Sequence, residues 1–175
     1  GALICEALDL MVSTLFKSLI TGAIVILVLM FLMLKSVRLG LVSIFPNFAP
    51  IAIGLGFLYL YGYFLDLATV MVGAISMGLV VDDTIHFLHN YKAYRAEGLD
   101  TEQASRKTLI NIGPALVTTT LVLFSGLVVL VFSKFRHISA FGATIAVTIG
   151  VALLFDLFVL PSILKIVDTK DLKKK

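Results

Sequence analysis

The chain has 175 residues, of which 59% are hydrophobic and only 14% are charged. This composition excludes an ordinary soluble domain. The net charge of +3 reflects where the basic residues lie between apolar stretches, and it gives no reason to expect nucleic acid as a partner.

Five apolar stretches are long enough to cross a bilayer, whose hydrocarbon core requires roughly 20 helical residues. Backbone N–H groups find no water at that depth, so these stretches must be helices rather than open strands. We therefore predict an all-α polytopic membrane bundle. Within a transmembrane domain at residues 18–165, the five transmembrane helices are expected at residues 18–34, 39–64, 67–89, 112–133 and 138–164.

The basic residues predict the orientation of this bundle. Eleven of the 14 Lys and Arg residues lie in the first connection, in the third connection or at the C-terminal end. The positive-inside rule then places the N-terminus outside and the C-terminus in the cytoplasm. We expect an integral protein of the cytoplasmic (inner) membrane with a basic cytoplasmic tail at residues 166–175.

Residues 1–17 are predicted to form an amphipathic lead-in helix. Its polar positions recur at helical spacing and comprise Glu6, Asp9, Ser13 and Lys17. Such a helix either couples an extracytoplasmic domain to the membrane or lies on the bilayer surface. Because the chain opens without an initiator Met or a basic leader, we expect it to be a piece of a longer polypeptide.

The second span contains Pro46 and Pro50. Prolines inside a helix remove backbone hydrogen bonds and favour a kink or a break. Broken helices occur along transport pathways, although prolines are also common in ordinary membrane helices.

The third span carries Asp82 and Asp83 inside an otherwise apolar segment. A charge at membrane depth costs about 3 kcal/mol or more, and two adjacent carboxylates do not both ionise cheaply. The span also has two polar stripes, Thr69, Ser76, Asp83 and Asn90, and beside them Asp82, His86 and His89. We interpret this face as a proton site inside the membrane, with Ala74 and Gly78 allowing close helix contact.

Residues 90–111 are predicted to be a charged cytoplasmic loop. It is expected to contain a short helix from Thr101, as N-cap, to Leu109, and the fourth span is expected to start at Gly113-Pro114. That span carries its own polar stripe, which consists of Asn111, Thr118 and Ser125 beside Thr119. Either these hydroxyls face the carboxylates, or each bonds to a carbonyl of its own helix.

The fifth span has a ridge of small residues, Gly142, Ala146 and Gly150, which predicts close packing. It also has Asp156, five residues before Pro161. This carboxylate takes part in proton transfer, reaches the cytoplasmic surface, or caps a neighbouring helix end.

These residues together resemble the resistance–nodulation–division (RND) superfamily, in particular its hydrophobe/amphiphile-efflux and MMPL-like exporters. The motif Gly-x-x-x-Asp-Asp, also found in sterol-sensing-domain relatives of the Patched and Niemann–Pick type, is filled here by Gly78, Asp82 and Asp83. Further matches to the exporter branch are Thr84-Ile85-His86-Phe87-Leu88, Gly113-Pro114, Phe124-Ser125-Gly126 and Asp156 with Leu160-Pro161.

The resemblance implies a transporter of two similar halves, each with one span, a large extracytoplasmic domain and five more spans. The chain looks like the five-span block of the C-terminal half. It implies that Asp82 and Asp83 form a proton relay supported by a threonine. If positions of the family pattern are counted from Pro114, the supporting threonine is Thr118; if they are counted from Gly126, it is Thr119. His86 and Asp156 are expected to support the relay as well. The intramembrane Lys of some family members has no counterpart in these spans.

The leading hypothesis is a secondary active transporter, not an enzyme, that couples inward proton flow to export of lipids or other hydrophobic or amphiphilic compounds. Its expected partners are membrane lipids, the substrate, and the remaining half and extracytoplasmic domains of the same transporter; a homo-oligomer is compatible with it. One alternative is a sterol- or lipid-sensing binding module without transport. Another is a metalloenzyme using Asp82, Asp83, His86 and His89, but one helix offers too few convergent ligands, so we expect no metal and no cofactor.

Overall fold

The computed structural model describes the backbone of residues 2–62 and 67–172, and the side chains of residues 13, 14, 17, 18, 20–62 and 71–167. The elements in this part of the chain are helices, which confirms the predicted all-α class. They are α1 (Ala2–Leu34), α2 (Val37–Leu60), α3 (Leu67–Ala96), α4 (Thr101–Val131), α5 (Arg136–Leu154), a π-helical turn (Phe155–Val159) and α6 (Leu160–Leu172).

Four of the described segments are long and apolar enough to cross a membrane. They are Val37–Leu60, Met71–Ala96, Thr101–Val131 and Arg136–Val167, and the apolar part of α1, Ile20–Leu34, is shorter. Large hydrophobic side chains cover their outer faces, as expected for helices whose solvent is lipid. The chain therefore has the helices of an integral membrane protein.

Helix α5 packs against α2, α3 and α4, and glycines set how closely it approaches two of them. A Cβ on Gly142 would lie 2.6 Å from Leu130 Cβ, and a Cβ on Gly54 of α2 would collide with the Thr148 hydroxyl. The predicted ridge is thus confirmed at Gly142 and at Ala146, which is buried. It is wrong at Gly150, where an added Cβ would meet no atom within 4 Å.

The α3–α4 connection differs from the predicted loop at residues 90–111. Helix α3 continues to Ala96, and α4 begins at Thr101 with Asp100, not Thr101, as its N-cap; the Asp100 carboxylate accepts from Gln103 N at 2.7 Å. The early start is stabilised by burial of Ala104 and Thr108. Helix α4 then runs unbroken through Pro114, so the predicted separate short helix and the predicted start at Gly113-Pro114 are wrong.

Prolines in the other helices have unequal effects. Helix α2 is continuous through Pro46 and Pro50. In the last span, Pro161 has no N–H, and in a regular α-helix its ring would press on the carbonyl of Leu157. The chain widens into the π-helical turn just before it, where Leu160 N–H donates to Phe155 O. This turn holds Asp156.

The first connection, the α3–α4 connection and the end of the last span meet at one end of the bundle. Lys92 Nζ donates to Leu34 O at 2.6 Å, which caps the C-terminus of α1. Lys165 Nζ pairs with Glu102 at 3.0 Å and ties α6 to the start of α4. We name this the basic end of the bundle.

The predicted lead-in helix at residues 1–17 is part of the continuous helix α1. The side chains of Glu6 and Asp9, which would define its polar face, lie outside the described residues. The predicted tail at 166–175 is helical as far as Leu172.

Candidate functional site

Three consecutive polar residues of α3, Asp82, Asp83 and Thr84, point in three directions. Successive residues of an α-helix are turned by about 100° around its axis. Asp82 is exposed on the outer face, Asp83 is half-buried towards α4, and Thr84 is fully buried between α2 and the π-helical turn. The helix therefore holds an exposed carboxylate and a half-buried carboxylate side by side, and turns a hydroxyl into the bundle.

Asp82 lies on the same face of α3 as His86. Its Oδ1 is 3.7 Å from His86 Nε2, and the side chains of Asp82 and His86 are 72% and 64% exposed. In the part of the chain that the structure describes, no set of three or more His, Cys, Asp or Glu side chains is arranged to bind a metal ion. The metalloenzyme alternative therefore has no support from the geometry.

Asp83 lies beside the fourth helix, where the buried Thr120 hydroxyl donates a hydrogen bond to its carboxylate. A cleft of about 560 Å³ separates the two helices at this level. Its walls are mostly apolar, and its polar side chains are Asp82, Asp83, His86, Thr118, Thr119 and Thr120. The structure thus brings both predicted relay carboxylates and all three threonines to one cleft.

The hydroxyls of Thr118 and Thr119, the two threonines chosen by counting, are occupied by their own helix. Thr118 Oγ1 donates to Pro114 O at 2.8 Å, and Thr119 Oγ1 lies 3.0 Å from Leu116 O. Ser125 likewise donates to Leu121 O at 2.7 Å. The polar stripe predicted on α4 therefore does not supply the partner of Asp83. The hydroxyl that contacts Asp83 belongs to Thr120, the residue after Thr119.

Asp156 lies inside the bundle, with a relative exposure of 0%. Its Oδ1 is 2.8 Å from Thr84 Oγ1, which is in turn 2.6 Å from Asn47 Oδ1. The other carboxylate oxygen, Oδ2, is buried without a hydrogen-bond partner. The side chain therefore neither reaches the cytoplasmic surface nor caps a helix end, which removes two of the three roles considered from the sequence.

The motif glycine, Gly78, lies on the exposed side of α3, one turn before Asp82. An added Cβ there would meet no atom within 4 Å, and Ala74 is exposed as well. The close helix contact predicted for this pair is not made within the described part of the chain.

Sequence reasoning missed Thr84 and Asn47 as partners of Asp156. Both are fully buried polar side chains, and buried polar groups in membrane helices mark functional or packing positions. Thr84 follows the two carboxylates directly, and Asn47 lies between the two prolines of α2. These sequence positions could have drawn attention to Thr84 and Asn47, but neither position indicates a contact with Asp156.

Comparison with known proteins places the chain in a family. The MMPL family model matches residues 2–175. The chain is 28% identical over 102 residues to the protein MJ1562 of Methanocaldococcus jannaschii, whose name describes it as a membrane protein, covering 58% of the chain and 26% of that protein. It is 31% identical over 97 residues to the probable transport protein MmpL12 of Mycobacterium tuberculosis, covering 55% of the chain and 8% of that protein.

A third relative is the multidrug resistance protein MdtC of Escherichia coli, 29% identical over 151 residues, which cover 83% of the chain and 14% of that protein. The matches therefore span about a quarter or less of the length of these relatives. The chain belongs to the MMPL family, within the RND superfamily that its motifs resemble.

Proposed function

We propose that the chain forms the membrane part of an RND-type exporter that uses the proton gradient to move lipids or other hydrophobic or amphiphilic compounds out of the cell. It would act as a secondary active transporter and not as an enzyme. Membership of the MMPL family supports transport, as do the names of MmpL12, a probable transport protein, and MdtC, a multidrug resistance protein.

The observation that carries this proposal is the pair Asp82 and Asp83 on the cleft between α3 and α4. Neighbouring carboxylates at membrane depth repel each other when both are ionised. A proton bound by one of them relieves that repulsion. Such a pair can take up one proton and release it within the transport cycle.

Asp83 connects this titration to helix packing. When its carboxylate is charged, the Thr120 hydroxyl donates to it and holds α4 against α3. Protonation removes the charge and weakens this hydrogen bond, because bonds to charged groups are the stronger ones. Proton binding would thereby shift the population between two arrangements of α3 and α4.

Asp82 and His86 give a reason to expect further protein against this face. Polar side chains at membrane depth face other helices or water rather than lipid, yet both are largely exposed here. We propose that the remaining half of the same transporter covers them, and that the small residues Ala74 and Gly78 make their close contact there. Extracytoplasmic domains would then carry the substrate.

The basic end of the bundle supports the proposed orientation. Lys92 and Lys165 make their contacts at this end, together with Arg38, whose guanidinium donates to Val167 O. By the positive-inside rule this end faces the cytoplasm. We place the protein in the cytoplasmic (inner) membrane of the cell.

The proposal is tested by efflux of the fluorescent amphiphile Nile red from cells that express equal amounts of the full-length protein or its variants. We expect Asp82→Asn and Asp83→Asn each to abolish the protonophore-sensitive part of efflux, because a neutral amide does not cycle between charged and uncharged forms. The control Ser125→Ala should keep it, because the Ser125 hydroxyl bonds to Leu121 O of its own helix. Nile red binding without gradient-dependent efflux would instead support the lipid-sensing alternative.

A further inference from the structure

The side chains of Asp156, Thr84 and Asn47 form a buried polar junction that the cleft between α3 and α4 does not include. They come from the π-helical turn, α3 and α2, and each is 1% exposed or less. Turns of π-helix inside α-helices occur frequently at functional sites. We name these three residues the occluded junction.

The occluded junction lacks one hydrogen if Asp156 is ionised. Thr84 Oγ1 lies 2.8 Å from Asp156 Oδ1 and 2.6 Å from Asn47 Oδ1, and both neighbours are then acceptors. A hydroxyl has a single hydrogen to donate. One of these two short oxygen–oxygen contacts would therefore have no hydrogen between its atoms.

Turning the Asn47 amide by half a turn does not supply that hydrogen without a loss elsewhere. In the structure, Asn47 Nδ2 donates to Met30 Sδ at 3.3 Å. The reversed amide would point its oxygen at this sulfur, which has no hydrogen to donate. The Asn47 amide oxygen would then be a buried acceptor without a donor. The observed orientation of Asn47 therefore fits a hydrogen supplied by Asp156.

Charge leads to the same result. None of the ion pairs in the described part of the chain includes Asp156. Its Oδ2 also accepts no hydrogen bond there. An ionised carboxylate buried in this way is strongly disfavoured. Residues 20–34, 39–58, 112–131 and 138–155 of the surrounding helices contain no Asp, Glu, Lys, Arg or His, and Asp83 of α3 is the ionisable neighbour whose charge acts on Asp156.

We propose that the occluded junction is a second proton-binding site, in which Asp156 is neutral in this conformation. The protonated carboxyl donates to Thr84 Oγ1, and Thr84 donates to Asn47 Oδ1. When the proton leaves, Thr84 turns its hydrogen to the Asp156 carboxylate and Asn47 loses its donor. Proton occupancy is thereby linked to α2 between its two prolines, and through Asn47 to Met30 of α1.

Any part that this site plays in transport rests on the proposed function, but its proton occupancy is measurable without transport. Infrared spectroscopy of the full-length protein at neutral pH, in bilayers of ether-linked lipids that have no ester carbonyl of their own, resolves the C=O stretch of neutral carboxyl groups. We expect a band that is absent from Asp156→Asn and that persists in Asp82→Asn and Asp83→Asn. A wild-type band that is unchanged in Asp156→Asn would overturn the proposal.

Variants of Thr84 test the hydrogen-bond geometry with Asp156 intact. Thr84→Val keeps the side-chain shape and removes the hydroxyl, so the Asp156 band should persist and move to higher frequency as its hydrogen bond is lost. Thr84→Ser retains the hydroxyl and should leave the band near its wild-type position. A band that does not move in Thr84→Val would contradict donation from Asp156 to Thr84. Since the amide of Asp156→Asn is the closest mimic of a neutral carboxyl, failure of that variant to fold would also count against the site.

Discussion

The hydroxyl oxygen of Thr84 lies 2.8 Å from a carboxyl oxygen of Asp156, although 72 positions separate the two residues in the chain. Thr84 directly follows Asp82 and Asp83 on α3. One helix therefore contributes to two polar sites on different sides, the open cleft beside α4 and the occluded junction beside α2. A rotation or shift of α3 would act on both sites together.

Thr120 is predicted to support Asp83 more than its neighbours do. Thr120→Val removes the hydroxyl that donates to the carboxylate, and the loss of a hydrogen bond to a charged group should lower the export rate by about tenfold. The measurement is Nile red efflux at equal expression. Thr118→Val and Thr119→Val are the matched controls and should have smaller effects, because these hydroxyls bind carbonyls of their own helix.

Thr120→Ser, which keeps a hydroxyl, should retain most of the export rate. Equal losses in all three valine variants would contradict a specific role for Thr120.

Close packing of α4 and α5 predicts a stability effect at Gly142. In Gly142→Ala the new methyl group would lie 2.6 Å from Leu130 Cβ and 2.8 Å from Leu127 O, so the helices must separate. We expect a loss of about 1–3 kcal/mol in the free energy of unfolding, typical of overpacking. The change is measured as a fall in the midpoint temperature of thermal unfolding in detergent, with size-exclusion chromatography reporting the fraction of protein that remains folded.

Gly150→Ala on the same helix is the control for that experiment, since its methyl group meets no atom within 4 Å. If Gly150→Ala destabilised the protein as much as Gly142→Ala, the described contact between α4 and α5 would not be the cause.

The proposed orientation predicts which connections react with a membrane-impermeant maleimide. After Cys5, the only cysteine, is replaced by Ser, a cysteine is introduced at Lys134, between α4 and α5, or at Arg106, near the basic end; both positions are exposed. We expect Lys134→Cys to be labelled in intact cells and Arg106→Cys only after permeabilisation. The reverse pattern would overturn the orientation.

The helical architecture was predictable from the sequence because membrane spans are determined by length and apolarity alone. Boundaries at the basic end were not, because they depend on tertiary contacts. Lys107 Nζ lies 4.2 Å from the centre of the Tyr94 ring, and Asn111 Nδ2 donates to Tyr94 Oη at 2.8 Å. These contacts join α3 and α4 through a segment whose charge predicted a loop.

The candidate site was predictable only in its local part. Asp82 and Asp83 are recognisable because charge is rare and costly at membrane depth. The choice of Thr120 was not recognisable, because the face that α4 turns towards α3 is determined by packing, such as the approach of Gly142 to Leu130. Asn47 and Asp156 come from separate helices, and spacing within one helix gives no information about contacts between helices.

Proton movement through the full-length protein in proteoliposomes shows directly whether export is coupled to protonation of Asp83. A pH-sensitive dye inside the vesicles records proton flux under an imposed pH gradient, before and after addition of Nile red. We expect Nile red to increase proton flux through the wild-type protein and to have no effect in Asp83→Asn, whose side chain remains beside Thr120 but no longer ionises. Nile red-dependent proton flux in Asp83→Asn equal to that of the wild type would show that Asp83 does not carry the proton.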